Sequence, residues 1–495
     1  MTAVTSTDPR SGTVVATVAD ETTLTQVDEL CRAAADAAPA LEALGRRGRA
    51  ALLRNLADGL TADRETLVRL ADRETGLGPT RLNGELTRTC YQFRLFAEAL
   101  DEGSYVEAII DHAGDTPMGP RPDLRRMLVP IGPVAVFGAS NFPFAFSVPG
   151  GDTAAALAAG CPVVLKAHPS HPATAQRCFE VMRDIAPAGV LGLVHGQDAG
   201  AELVRHPAIR AVGFTGSLGA GRALADLAAA RPEPIPFYGE LSSINPVIVT
   251  PAAAAERAEA IGAGLAGSAT LGAGQFCTKP GLAFVPAGEA GDRLRDAAAA
   301  AFTELGGLVA LNGGIARGYA AGTARIGDHP GMAALATGAE SDGDGFWLRP
   351  ALFGTDTAHL DEALTEECFG PVTILVSYVD ESDLLAALHK LPGSLSAAVH
   401  LTDEDVTVVL DVLRPKAGRL LFNGFPTGVA VAWAQHHGGP WPATNTLHTS
   451  VGITSIRRFL RPVAWQDAPQ RLLPAELRDE PGDAVVPRRV DGVLR

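Results

Sequence analysis

Between residues 134 and 241 the chain alternates short apolar runs with helical stretches. No other feature constrains its fold as strongly. The runs cover 134–137, 162–165, 190–195, 211–214 and 235–241, and the helical patterns between them cover 152–159, 173–185, 200–205 and 222–230. A strand without polar alternation is buried on both faces, and parallel strands need helical crossovers between them. The segment therefore reads as a parallel sheet covered by helices on both sides, the layout of a dinucleotide-binding domain. A second α/β stretch begins near Asn245, with a run at 247–249, a helix over 254–268, a run at 282–285, and further elements up to 420–422. Before the alternation, a short strand at 12–18 precedes a helical region over 23–110, where Leu52, Leu53, Leu56 and Leu60 recur at helical spacing. Residues 111–127 are polar and rich in Pro and Gly, as in a surface excursion. The stretch 450–495 holds only short apolar segments among Arg, Pro and acidic residues.

Composition narrows the classes. In 495 residues there are 41 basic and 56 acidic side chains, a net charge of −15. An acidic chain without a basic cluster is a poor partner for nucleic acid or an anionic membrane. No apolar run reaches membrane-spanning length, and the N-terminal residues are polar. The six cysteines (Cys31, Cys90, Cys161, Cys178, Cys277 and Cys368) are scattered and form no C-x-x-C pair. This spacing implies a reducing compartment, the cytoplasm, and no structural metal.

Five stretches carry chemistry. Gly274-Gln275-Phe276-Cys277-Thr278-Lys279-Pro280-Gly281 puts a thiol on a tight turn, where it can present a nucleophile at the edge of a cleft. Phe214-Thr215-Gly216-Ser217-Leu218-Gly219-Ala220-Gly221 follows a strand and opens a helix, a place for a phosphate. It matches neither the dinucleotide glycine fingerprint nor a P-loop. The turn Gly138-Ala139-Ser140-Asn141-Phe142-Pro143 offers an amide donor for a developing oxyanion, and Lys166 closes an apolar strand at the ligand edge of the sheet. Glu240 likewise ends a strand, where partial burial would suit a general base. In Glu366-Glu367-Cys368-Phe369-Gly370-Pro371 a carboxylate precedes a turn and can hold ribose hydroxyls.

Together and in this order, the five stretches resemble the aldehyde dehydrogenase superfamily over nearly the whole chain. The resemblance implies an α/β fold with two Rossmann-like parallel-sheet domains plus a small oligomerisation hairpin and tail. The dinucleotide-binding domain would cover 1–110 and 128–242 and the thiol domain 243–449, with 111–127 and 450–495 as oligomerisation elements of a homodimer or homotetramer. By the same resemblance Cys277 is the nucleophile, Glu240 the base, and Asn141 with the Cys277 amide the oxyanion hole. Lys166 and Glu367 hold the two riboses, Gly216, Ser217 and Gly221 belong to the pyrophosphate turn, and Phe369 packs by the nicotinamide.

Segments such as His437-Gly438-Gly439-Pro440-Trp441-Pro442 and Asn423-Gly424-Phe425-Pro426-Thr427-Gly428 are similar to the 2,5-dioxovalerate (α-ketoglutaric semialdehyde) dehydrogenase branch. They also resemble NADP-dependent fatty aldehyde dehydrogenases. Many NAD-preferring members carry a Glu at the position of Pro169. Its loss implies acceptance of NADP, with NAD as the other cofactor, and Ser170, Arg205 or Arg222 joins Lys166 at the 2′-phosphate. The family's usual Gly-Gly after the base is Ser242-Ser243. A keto-acid substrate wants a basic or hydroxyl-bearing pocket, for which Arg88, Gln92, Arg94, Thr427 and Ser450 are candidates. A long-chain aldehyde wants an apolar tunnel of residues such as Phe144, Phe146, Trp433 and Trp441. The competing classes are a cysteine hydrolase pairing Cys277 with His436 or His437, a CoA-acylating dehydrogenase, and a non-catalytic scaffold. The reaction expected of the resemblance needs no metal.

Overall fold

The apolar runs fold as buried strands of a parallel sheet. In the computed structural model, which describes residues 2–341, 343–403, 405 and 408–495, the strands Val134–Phe137, Val163–Lys166, Leu191–Val194, Ala211–Thr215 and Phe237–Glu240 form one five-stranded sheet. Every pairing in it is parallel. From Val134–Phe137 the chain adds two strands on one side and then two on the other. The order therefore reverses between Val134–Phe137 and Ala211–Thr215, and such a switch point opens a crevice at the strands' C-terminal ends.

Alternate residues of these strands face opposite layers. Val134, Val136, Val163 and Leu165 join a core with Phe93 and Phe96 of the long helix Pro79–Glu102. Ala135, Phe137, Val164 and Val212 join another with Val27, Cys31 and Leu203. Both faces are apolar, which is why these runs lack polar alternation. Each fully buried Val, Leu or Phe contributes about 1.5–3 kcal/mol.

The second sheet has seven strands. In spatial order they are Ala333–Thr337, Ala351–Asp356, Val372–Tyr378, Leu282–Pro286, Val247–Val249, Ser394–His400 and Ala417–Phe422. All pairings are parallel except that of the edge strand Ala333–Thr337. A third sheet sets Leu460–Gln466 beside Leu124–Pro130, then Ala108–Asp111, Arg488–Val490 and Val493–Leu494. Next to it lies the hairpin of Gly114–Thr116 and Gly119–Arg121. Among the described residues no helix is long and apolar enough to cross a membrane.

Three expectations change. The strand expected at 12–18 is one arm of a hairpin, Ala3–Asp8 with Thr13–Asp20. Residues 108–111 leave the helical region and enter the third sheet. Helix Leu218–Ala229 starts four residues before its apolar pattern does, because Gly219 and Gly221 hide the period and the Ser217 Oγ caps it, accepting from the Ala220 amide.

Residues 450–459 are also not part of a peripheral tail. The 3-10 segment Ile453–Phe459 packs beneath the first sheet's helix Gly151–Ala159, and Arg458 is fully buried there. Its Nη1 donates to Asp152 Oδ1 at 2.7 Å, and its guanidinium lies over the Tyr238 ring. Removing one member of a buried ion pair strands the other's charge, which costs about 3–5 kcal/mol. Asp152→Asn is accordingly expected to lower stability to urea by about 3–5 kcal/mol. A loss below about 1 kcal/mol would show that Arg458 has another acceptor.

Candidate active site

The thiol turn is built by left-handed backbone. After helix Pro251–Thr270, Gly272, Ala273 and Gly274 take φ of 56°, 59° and 63°. A Cβ on Gly274 would lie 2.2 Å from the Gly370 carbonyl oxygen, so only glycine lets the Cys277 turn press on the turn that carries Glu367 and Phe369. The glycine thus serves contact with the neighbouring chain segment. Gln275 then anchors the loop: its Nε2 donates to the Val309 carbonyl at 3.0 Å and its Oε1 accepts from the Leu311 amide at 2.9 Å.

Cys277 Sγ lies 3.5 Å from His437 Nε2, which is itself 2.9 Å from Glu240 Oε1. The Ser450 hydroxyl donates to the other carboxylate oxygen, Glu240 Oε2, at 2.6 Å. His437 is held in turn, its backbone N–H donating to Thr449 Oγ1 at 2.7 Å. Burial pushes the Cys277 thiol well up, and the adjacent Glu240 charge adds to the effect. Burial alone would raise Glu240 as well. The His437 charge, followed by hydrogen bonds from His437 and Ser450, outweighs it and holds the carboxyl below its ordinary range.

Asn141 stands across the cavity from this knot. Its Nδ2 donates to the Gln275 carbonyl at 2.9 Å, which leaves the second amide hydrogen for a ligand. Arg81, from the long helix, braces the arrangement. Its Nη2 donates to the Asn141 carbonyl at 2.8 Å, and its guanidinium stacks between Phe142 and Phe276, 5.0 and 4.7 Å from the ring centres.

A cavity of about 300 Å³ brings Asn141, Gly216, Ser217, Glu240, Cys277, Glu367 and Phe369 together. Several expected site residues lie elsewhere. Phe144 is fully buried in the core against the long helix, and it is Phe142 and Phe146 that line the cavity. Thr427 commits its hydroxyl to Ser268 at 2.6 Å. Ser450 serves the carboxylate of Glu240 from behind. Gly221 is closed off by packing: a Cβ there would meet Leu241 Cδ2 at 2.1 Å, so this glycine seats its helix on the sheet. Gln92 is also buried, beside Gly151 at the back of the site. Arg94 pairs with Asp58 at the surface. Sequence reasoning missed Arg81 and raised His437 only as a hydrolase partner.

Comparison with known proteins decides the family. The aldehyde dehydrogenase family model matches residues 2–440. The chain belongs to the aldehyde dehydrogenase family. It is 45% identical over 481 residues to α-ketoglutaric semialdehyde dehydrogenase 2 of Azospirillum brasilense, covering 94% of this chain and 91% of that protein. It is 42% identical over 488 residues to α-ketoglutaric semialdehyde dehydrogenase of Acinetobacter baylyi, covering 96% and 92%. The crystal structure of an NADP-dependent enzyme from E. coli superposes with a TM-score of 0.80 at 25% identity, covering 94% of each chain. This aldehyde dehydrogenase is thus an NAD(P)-dependent oxidoreductase.

Its own residues fit such a cofactor. The Lys166 ammonium sits at a strand's C-terminal end and forms no ion pair among the described residues; burial lowers its pKa. Gly216 and Ser217 lead into a helix N-terminus, which favours phosphate. Ser242 and Ser243 lie beside Glu367 and favour its ionised form against burial, and the carboxylate lines the cavity, where it fits ribose hydroxyls. The Ser242-Ser243 departure therefore sits against this acid.

Burial raises Glu367 to about 7. As the candidate ribose acid, Glu367 would accept from ribose hydroxyls when ionised, so cofactor affinity is expected to be full above that pH. The affinity falls as pH drops through about 7, by up to tenfold per unit. Calorimetric titration of cofactor between pH 5.5 and 8.5 checks this, and a flat profile would contradict it.

Proposed function

We propose that this enzyme oxidises 2,5-dioxopentanoate to 2-oxoglutarate, with NADP as its preferred cofactor. The observation that carries the reaction is the Cys277 thiol, held against the His437–Glu240 pair and facing the cavity that Asn141 lines. The two relatives named for this semialdehyde support the substrate.

The thiol proton passes to the His437–Glu240 pair and Sγ attacks the aldehyde carbon, forming a thiohemiacetal. A carboxylate held as low as Glu240 is a weak base by itself, and the His437 imidazole, standing between it and the thiol, offers the proton a second acceptor. The free Asn141 amide hydrogen and the Cys277 backbone N–H receive the developing oxyanion. Glu367 and Phe369 would hold the nicotinamide, which would supply the acceptor for the hydride that leaves the thiohemiacetal carbon. Cys277 is then left as a thioester. The pair first gives up the thiol's proton to solvent and then deprotonates a water, which attacks that carbonyl and releases the acid and the thiolate.

Arg88 supports an acidic substrate. Its guanidinium lies 5.3 Å over the Phe146 ring, its Nη1 is buried, and it forms no hydrogen bond or ion pair among the described residues. We assign it to the substrate's distal carboxylate, where bidentate pairing would add binding. For the cofactor, Pro169 removes a carboxylate that would repel a 2′-phosphate. Lys166 and Ser170 are our candidates to receive it, since Arg222 is drawn over Trp441 and Arg205 is exposed. The fatty-aldehyde reading is weaker: Trp433 and Trp441 are half-exposed and do not line the cavity. The third sheet offers the exposed edge strand Leu460–Gln466 to a second copy, and we expect a homodimer or homotetramer.

Kinetics with 2,5-dioxopentanoate, pentanal and a long-chain aldehyde test the reading. Arg88→Met is expected to cut kcat/KM about 100-fold for the dioxo acid, about 2.7 kcal/mol, and less than about threefold for pentanal. Equal losses on both would remove Arg88 from substrate recognition. Better use of the long-chain aldehyde by the unaltered enzyme would move the assignment to fatty aldehydes. Cys277→Ala should abolish turnover and keep cofactor binding. Glu240→Gln should slow the steady state at least about tenfold and slow the burst of reduced cofactor less, because His437 still stands beside the thiol to take its proton. A burst slowed as much as the steady state would contradict a main role for Glu240 in deacylation.

A further inference from the structure

We propose that Cys277, His437 and Glu240 form a coordination site for a divalent cation of the zinc class, which shuts the enzyme reversibly by occupying its nucleophile. The sequence points to no metal, because its three ligands stand at positions 240, 277 and 437 with no ligand spacing among them. The fold brings one donor atom from each to within 4.8 Å of the others. Sγ and Nε2 are 3.5 Å apart, and Nε2 and Oε1 are 2.9 Å apart.

In a tetrahedral zinc site, metal–sulfur bonds of about 2.3 Å and metal–nitrogen or metal–oxygen bonds of about 2.0–2.1 Å put the donors about 3.3–3.6 Å apart. The Sγ–Nε2 side already has this length, and Nε2 and Oε1 need to separate by a few tenths of an ångström. The Sγ–Oε1 side, at most 4.8 Å, closes to it as the ion binds.

The surroundings are those of a supported ligand set. The Ser450 hydroxyl holds Glu240 Oε2 and leaves Oε1 to face the ion. Thr449 and Ser450 fix the His437 backbone on both sides, the Ser450 amide donating to the His437 carbonyl at 2.8 Å. Such outer partners orient ligands and strengthen metal binding. A thiolate, a carboxylate and a neutral imidazole also cancel the ion's two positive charges, so the buried site becomes neutral. On binding, the Cys277 sulfur–hydrogen bond is replaced by a sulfur–metal bond and that proton leaves to solvent. The Nε2 hydrogen shared with Glu240 leaves to solvent as well, and His437 keeps the one on Nδ1, so that the Nε2 lone pair faces the ion. The fourth position opens on the cavity and takes a water. Aldehyde and metal ion exclude one another because both need Sγ.

The test uses untagged, chelator-treated full-length enzyme, with Zn²⁺ added against dehydrogenase activity and Co²⁺ added against absorbance. Zn²⁺ should abolish activity at about one ion per subunit, and excess EDTA should restore it. Co²⁺ should give the visible bands of a tetrahedral site together with a near-ultraviolet sulfur-to-metal charge-transfer band. That band should vanish in Cys277→Ser. His437→Gln and Glu240→Gln should each bind Co²⁺ at least about 10-fold more weakly, read by absorbance and independent of turnover. Unchanged Co²⁺ affinity in both variants would overturn the proposal in favour of a lone reactive thiol. A charge-transfer band that survives in Cys277→Ser would place the ion on another cysteine. Failure of EDTA to restore activity would rule out a reversible coordination site.

Discussion

A carboxylate with 1% of its side chain exposed must be paired, and at Glu240 that requirement organises the active site. An ionised carboxyl left alone there would cost several kcal/mol. Its partners, His437 and Ser450, arrive about two hundred residues later in the chain. To deliver them, the segment around 443–450 docks on the end of the Glu240 strand. The Leu241 amide donates to the Ala443 carbonyl at 2.8 Å, and Glu240 forms a bridge with Thr444. Asn445 ties both ways to Phe237 and Gly239. The same residue that pairs Glu240 also touches the Cys277 thiol, so neutralising the carboxylate and contacting the thiol are one arrangement.

The other half of the site is joined to this knot by backbone contact. Gly274 lets the thiol turn press against Gly370, and Ser242, two residues past Glu240, lies beside Glu367. Arg81 clamps the Asn141 turn to Phe276 from the long helix. Glu240, Cys277, Asn141 and Glu367 therefore share neighbours, although they come from four separate stretches. Changes at any two of them should be non-additive, as is usual for residues in one network.

Much of this was legible in the sequence, for physical reasons. Strands of a covered parallel sheet are continuous apolar runs, so 134–137 and 247–249 stand out and match Val134–Phe137 and Val247–Val249. Cys277, Glu240, Asn141 and Glu367 each sit at a strand end or in a Gly/Pro turn, where the ligand edge of such a sheet lies. All four line the one cavity. What escaped depends on long-range contact. His437 lies outside any helix or strand, and its bond to Glu240 spans 197 positions, so no local spacing announces it. Phe144 and Phe146 look alike in sequence, and only the packing of the long helix sends the first into the core and leaves the second on the cavity wall. Ser450 was read as touching substrate because it is near the right place; its hydroxyl in fact faces the base.

The central claim is that the His437–Glu240 pair controls the Cys277 proton. The most direct measurement is the rate of Cys277 alkylation by iodoacetamide from pH 5 to 10, in the cofactor-free enzyme and in His437→Gln. The account predicts that losing His437 leaves the Glu240 charge unbalanced beside the thiol, which moves the alkylation inflection to higher pH and slows the reaction at neutral pH. Identical profiles for the two proteins would contradict it and would reduce His437 to a packing residue.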